Sequence, residues 1–182
     1  MVEVACVYER IGGFRVSRGS LPPGDRGVKR TLAMMRRLVH EGSRQVEVRE
    51  AAIDAVRRAG VRPHDTVGEL NALYRFVRDG IRFTGDIAGV ETLQGPRYTL
   101  HLGAGDCDDR AVLLGSLARS IGLPVDLKFR AIGTDRRRPG RFSHVYTVAR
   151  LRGREIALDP TYRETPMGRQ YARPSRVMDF AL

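Results

Sequence analysis

The sequence predicts a mixed fold of helices and antiparallel strands, with most helices before the main strands. Three observations carry this. Apolar residues recur at helical spacing in three stretches before residue 80 and in one that starts at Cys107. Apolar and polar residues alternate over 125–132, as in a half-buried strand. Leu151-Arg152-Gly153-Arg154 then reads as a tight hairpin joining two further strand patterns.

The elements follow in order. Residues 2–8 and 13–18 read as short strands around Gly12-Gly13, and Leu21-Pro22-Pro23-Gly24 as a turn. From Arg26 to His40, the residues Val28, Leu32, Met35, Leu38 and Val39 form one helical stripe. A second helix is expected over 45–59, burying Val46, Val48, Ala52, Ile53 and Val56 and ending at Gly60. A third begins after Asp65-Thr66, uses Leu70, Leu73, Tyr74 and Val77, and stops at Gly80. Ile81-Arg82-Phe83-Thr84 suits a short strand. Residues 85–106, rich in Gly, Thr and Pro, are expected as a long loop. A fourth helix runs from Cys107 to Ile121, closed by Gly122 and Pro124. Strands are expected at 125–132, 142–151 and 154–159, and the tail from Tyr162 is Arg-rich and weakly patterned. The chain thus divides into an N-terminal extension (1–60), a core (61–162) and a basic C-terminal tail (163–182).

Composition narrows the function classes. The chain has 182 residues, 42% of them hydrophobic, which is enough for one globular domain with a core. It has no tryptophan and only 7% aromatics, which disfavours a base-stacking surface for single-stranded nucleic acid. The net charge is +11, carried almost wholly by arginine, since Lys29 and Lys128 are the only lysines. Arg136, Arg137, Arg138 and Arg141 form one cluster, and Arg150, Arg152 and Arg154 another. Such clusters suit an acidic partner or nucleic acid, or a solvated face. The two cysteines, Cys6 and Cys107, cannot form a four-thiolate zinc site, and no acidic loop has calcium-ligand spacing, so neither a metal nor a cofactor is expected. Both cysteines read as free thiols in a reducing, cytoplasmic setting. The first twelve residues do not resemble a signal peptide, and no stretch is apolar enough to span a membrane.

Cys107 lies in the run Gly105-Asp106-Cys107-Asp108-Asp109. Asp106 fits the N-cap, and Asp109 stands where the second half of a capping box would be. Cys107 then occupies the first helical turn, where the helix dipole favours a thiolate. The three aspartates oppose that by charge repulsion, so activation calls for a neighbouring imidazolium. A buried structural cysteine is the alternative, although the polar neighbours and glycine-rich approach argue against burial. The face Ala111, Leu114, Leu117, Ala118 and Ile121 is expected to pack on the sheet.

Of four histidines, His40 lies near a helix end, His64 in a loop and His101 before Cys107, while His144 sits in Phe142-Ser143-His144-Val145-Tyr146. With Arg152-Gly153 at the hairpin tip, Leu151 pairs with Arg154 and Tyr146 falls opposite Asp159. His144 is then diagonal to Asp159 on one face, about 7–8 Å apart at Cα and within side-chain reach. Cys, His and Asp in adjacent elements suit thiol acyl transfer. The imidazole takes the thiol proton and later protonates the leaving amine, while the carboxylate orients the ring. The Cys107 backbone N–H and the Gln94 side chain are candidate oxyanion donors.

These blocks resemble a known family. Gly105-Asp106-Cys107-Asp108-Asp109 with the helix that follows is similar to the nucleophile block of the transglutaminase-like superfamily. Phe142-Ser143-His144-Val145-Tyr146 resembles its histidine block, and Leu158-Asp159-Pro160-Thr161 its aspartate block. The likeness spans roughly residues 65–162. It implies an α+β, papain-like fold, with N-terminal helices and a Cys-bearing helix packed on an antiparallel sheet. It also implies Cys107, His144 and Asp159 as the catalytic set. The stretch Glu91-Thr92-Leu93-Gln94-Gly95-Pro96-Arg97-Tyr98-Thr99-Leu100 resembles the version found in tailed bacteriophages and prophages. The chain lacks the tryptophan often present near the histidine or oxyanion site, and Tyr146 takes the neighbouring aromatic slot.

The function expected from this is a cysteine peptidase or amidase working through a thioester on protein or peptide amides. The alternatives are an amine-transferring transglutaminase, or a virion structural protein that uses its basic surface to hold acidic partners.

Overall fold

The computed structural model describes residues 7–11, 14–85, 92–138, 140–171 and 173–182. Cys6, the start of the first expected strand and Gly12-Gly13 lie outside them.

Strands β1 (Val7–Ile11) and β2 (Phe14–Arg18) pair antiparallel, with Ile11 opposite Phe14. Three helices follow: α1 (Asp25–Gly42), α2 (Val46–Arg58) and α3 (Thr66–Gly80). Helix α1 buries Leu32, Met35 and Val39 from the expected stripe, and α3 buries Leu70, Leu73, Tyr74 and Val77. Asp65 caps α3 by accepting from the Gly68 N–H at 2.9 Å. Helix α2 differs from expectation. Its buried face is Val48, Ala52 and Ala55, at i, i+4 and i+7, which leaves Val46 and Ile53 exposed. Val46 starts the helix and Ile53 follows Ala52 by one residue, about 100° round the axis.

The stretch 85–106 is not one long loop. It holds helix α4 (Pro96–Leu102) and strand β4 (Ala104–Gly105). Pro96 opens α4 with a preset φ, and Gly103 ends it in the left-handed conformation at φ 63°. Seven residues are too few for a periodicity signal, which is why this helix is hard to see in the sequence. Strand β4 pairs in parallel with β3 (Arg82–Phe83), Arg82 opposite Ala104 and Phe83 opposite Gly105. That pairing fixes the chain just before Cys107.

Helix α5 (Cys107–Ser120) is the centre of the molecule. The expected single face is replaced by burial on every side, Val112 and Leu113 included. The reason is its place between layers. Val48, Leu73, Tyr74 and Val77 of the preceding helices pack with Leu113, Leu114 and Leu117 in one cluster. Met35 and Val39 of α1 pack with Ala111, Val112 and the sheet residues Phe129 and Ala131 in another. The N-terminal helices therefore pack on α5 in both clusters, α2 and α3 in the first and α1 in the second. Gly115 lets α1 come close, since a Cβ there would lie 3.3 Å from Val39 Cγ2.

The sheet comprises β5 (Asp126–Gly133), β6 (His144–Leu151), β7 (Arg154–Leu158) and β8 (Arg176–Ala181), in the order β7-β6-β5-β8, all antiparallel. The hairpin register is the one expected, Leu151 opposite Arg154 and Thr147 opposite Leu158. Strand β8 was not visible in the weakly patterned tail. It is an edge strand that places Phe180 opposite Phe129, and its alternation is blurred by an exposed Val177 beside charged Arg176 and Asp179. Beside it, Lys128 and Arg130 of β5 clasp Asp179 of β8 and Glu155 of β7 in one four-charge network. Among the described residues no helix is long and apolar enough to cross a membrane.

Candidate active site

Cys107 opens α5, and the expected capping box is present. Asp106 Oδ1 accepts from the Asp109 N–H at 3.3 Å, and Asp109 Oδ2 accepts from the Asp106 N–H at 3.3 Å. Gly105 makes room for it, because a Cβ at that position would lie 2.7 Å from Asp109 Cβ. Asp109 Oδ1 also accepts from the Gln94 N–H at 2.6 Å, so the same carboxylate ties the preceding segment to the cap. The acidic neighbours are buried rather than facing water: Asp108 is 3% exposed and Asp109 1%. Cys107 itself is half-buried, as expected of a cysteine outside the core, although its acidic neighbours are not what exposes it.

The three carboxylates Asp106, Asp108 and Asp109 converge within 4.8 Å, yet backbone amides engage each of them. The cluster is accounted for as a helix cap. Burial first, then Asp108 and Asp106, push the Cys107 thiol up to about 12, while the backbone amides of Val145 and Asp108 pull it down. The Val145 amide is the one that follows His144. Further along, Thr147 Oγ1 donates to Ala111 O at 3.0 Å. Four residues along α5 thus match two along β6, and the sulfur lies level with the start of the His144 strand.

His144 Nε2 lies 2.8 Å from Asp159 Oδ2, the contact that the hairpin diagonal anticipated. Asp159 is 2% exposed. Burial alone would raise its carboxyl, but hydrogen bonds from His144 and Thr161 outweigh this and hold it below the usual carboxylate range. The Thr161 N–H donates to Oδ1 at 3.1 Å. With Nε2 committed to Asp159, Nδ1 is the ring nitrogen left for proton exchange.

Three residues that shape this site escaped the sequence reading. Arg110, 3% exposed on the first turn of α5, donates from Nη1 to Pro160 O at 2.7 Å and from Nη2 to Ile81 O, and its guanidinium lies 5.4 Å from the Phe83 ring centroid. It binds the cysteine helix to the segment that carries Asp159. A signal for it was present: an arginine three residues after the cysteine, in a helix whose next positions are apolar. Tyr74 of α3, fully buried, lies with its hydroxyl 2.9 Å from Asp159 O and 2.7 Å from Thr165 O. Burial raises that hydroxyl to about 12, so it stays a donor. Tyr171 packs its ring 5.5 Å from His144, on the imidazole that Tyr146 stacks at 5.9 Å. Burial, then the Asp159 charge and a hydrogen bond to it, hold the Tyr171 hydroxyl well above its ordinary range. Nothing in the unpatterned tail marks Tyr171.

Gln94 is half-buried next to this cap. Its amide oxygen lies 3.5 Å from Thr99 Oγ1, and its backbone N–H is held by Asp109.

The family model described as the transglutaminase-like superfamily matches residues 53–160, more than half of the chain. No curated protein matches the sequence. Among solved structures, a candidate cysteine protease from Cytophaga hutchinsonii is 18% identical, covering 63% of this chain and 37% of that one, with a TM-score of 0.46. A candidate protease from Parabacteroides distasonis ATCC 8503 is 15% identical, covering 90% of this chain and 36% of that one, with a TM-score of 0.54. The chain therefore spans little more than a third of the length of either structure. The second likeness and the family match agree with an α+β, papain-like fold.

Proposed function

The chain belongs to the transglutaminase-like superfamily, and on that premise we propose that it is a thiol hydrolase that cleaves protein or peptide amides through Cys107, His144 and Asp159. The observation that carries this is the part-buried 2.8 Å contact of His144 with Asp159, on the strand whose next amide meets the sulfur of a cysteine at a capped helix N-terminus.

In this reading His144 Nδ1 takes the proton from Cys107 as Sγ attacks the amide carbon. The C–N bond then breaks, the imidazolium gives its proton to the leaving amine, and a thioester remains on Cys107. Water, deprotonated by the same imidazole, attacks the thioester and returns the thiol. Asp159 keeps Nε2 protonated and stabilises the imidazolium, and Arg110, Tyr74 and Thr161 hold Asp159 in place. The Cys107 N–H, a first-turn amide without an intrahelical partner, is one oxyanion donor. We assign the Gln94 side chain as the second, since it stands on the same cap through Asp109.

The test uses a protein digest as a pool of peptide amides, with wild type and Cys107→Ala compared by mass spectrometry. Hydrolysis by wild type alone is expected. A dansylated primary amine in a parallel incubation separates transfer from hydrolysis. Incorporation faster than hydrolysis would make the chain an amine transferase, and equal product in both proteins would remove Cys107 from the reaction.

A further inference from the structure

Tyr171 has two sides. One packs on the His144 ring and reaches Asp159. The other is part of the wall of a separate cleft of about 390 Å³, which also holds Thr134, Asp135, Arg136, Arg173 and Ser175. The cleft is built where the end of β5 meets the segment leading into β8. The Ser175 N–H and Oγ both donate to Gly133 O, at 2.9 and 3.1 Å, so its floor is tied to the sheet. A side chain or chain end in this cleft would lie one tyrosine ring away from the imidazole.

The arginines of the cleft lack the acidic partners that several other arginines have. Arg130 is held by Asp179, Arg150 by Asp126, Arg176 by Asp25 and Arg78 by Asp79. Arg136 and Arg173 are exposed, and neither has a carboxylate partner among the described residues. The one acid present, Asp135, turns its Oδ1 to the Arg137 N–H at 2.9 Å. Two arginines lining one small cleft suit a carboxylate, which guanidiniums can bind in paired hydrogen bonds. The volume suits one side chain or chain end. It does not suit a duplex, and its one aromatic ring is already packed on His144.

We propose that this cleft is a specificity subsite, with Arg136 and Arg173 selecting peptides that carry a carboxylate within about three residues (roughly 10 Å of extended chain) of the scissile amide. The inference rests on the hydrolase reading for what is cleaved, but its binding part does not.

Binding is therefore measured first, on Cys107→Ala protein, by anisotropy of fluorescein-labelled nonapeptides. One set has blocked ends and a single Glu, a second has Gln in its place, and a third is neutral with a free C-terminal carboxylate. The Glu peptide is expected to bind about 10-fold or more tighter than the Gln peptide, the range of a charge-assisted hydrogen bond. Arg136→Gln with Arg173→Gln should erase the difference without weakening the Gln peptide. A preference in the third set instead of the first would assign the carboxylate to the chain end. Equal binding of all three sets, or a preference that survives the double substitution, overturns the proposal. Displacement of the Glu peptide by single-stranded DNA at equal charge concentration also overturns it, in favour of a general polyanion surface. With active protein, the same preference should appear in KM, with kcat on the Gln peptide unchanged. Failure of wild type to cleave any peptide, with the binding preference intact, would count against the hydrolase reading and leave the subsite standing.

Discussion

Arg110→Met removes the link between the cysteine helix and the aspartate segment. The guanidinium makes two close hydrogen bonds to buried carbonyls, Pro160 O at 2.7 Å and Ile81 O, and a longer one to Thr161 O at 3.4 Å. A hydrogen bond from a charged donor contributes about 1.5–3 kcal/mol, and an orphaned buried carbonyl costs about 1–3 kcal/mol. Two such bonds set an upper figure of about 6 kcal/mol. Against this, burial disfavours the charged guanidinium and lowers its pKa despite the opposing charges of Asp159 and Asp106, and Nε has no partner among the described residues. Methionine also keeps most of the apolar stem. The net expectation is a loss of about 2–4 kcal/mol. Domains of this kind have roughly 5–15 kcal/mol in total, so the variant should still fold. With a urea slope of about 2 kcal/mol/M, the midpoint should fall by about 1–2 M. Arg110→Lys keeps the charge but loses the fork, and should lie between the two. Alkylation of Cys107 should slow in the same order, because Asp159 loses an anchor. A midpoint within about 0.3 M of wild type, together with unchanged alkylation, would refute the role given to Arg110.

Asp159→Asn should lower the urea midpoint, because the ionised carboxylate stabilises the fold, and lower kcat/KM by about 10²–10⁴ through loss of the correct imidazole tautomer; a loss of activity under tenfold would dismiss the ring-orienting role. Gly105→Ala drives a Cβ to 2.7 Å from Asp109 Cβ. It should lower stability by about 1–3 kcal/mol and slow Cys107 alkylation, and a neutral effect in urea would show that the cap can shift freely. The carboxyls of Asp179, Glu155 and Asp159 are all lowered in the folded protein, the first two chiefly by hydrogen bonds from Arg130 and Lys128. Their stabilisation is complete above the unfolded carboxylate range near pH 4 and is lost as pH falls through the lower folded values. Tm should therefore drop steeply below about pH 4.5. Asp179→Asn should remove about 1 kcal/mol or less, given its exposure, and flatten part of that drop; an unaltered Tm–pH curve would mean the network adds nothing.

Much of the site was legible because its signals are local. The aspartate pair at 106 and 109 announced the cap, and a two-residue turn fixed the register that joins His144 to Asp159. The core faces of α1 and α3 followed from periodicity. What was illegible depends on distant partners. Helix α4 is too short to show a period, and β8 is an edge strand whose identity comes from Phe129 and Gly133 across the sheet. Burial of Asp108 and Asp109 follows from layers on both sides of α5, which a single helix pattern does not encode. Tyr171 belongs to the site only because the tail returns to the sheet.

The central claim is that Cys107 becomes nucleophilic by giving its proton to His144. When His144 does not take its proton, the thiol is held up to about 12 by burial, Asp108 and Asp106. Without a proton acceptor, about 10⁻⁵ of such a thiol is ionised at pH 7, against a few per cent for an ordinary cysteine. The greater nucleophilicity of a more basic thiolate restores only about one to two decades, leaving it about 10²-fold slower than a free thiol. The decisive measurement is the iodoacetamide rate of Cys107 from pH 5 to 11, read by peptide mass spectrometry in wild type and His144→Ala. Wild type should already react near neutral pH at least as fast as a free thiol, while the variant should be about 10²-fold slower there and rise only above about pH 10. Superimposable profiles, with both proteins reactive only in strong alkali, would contradict the assignment.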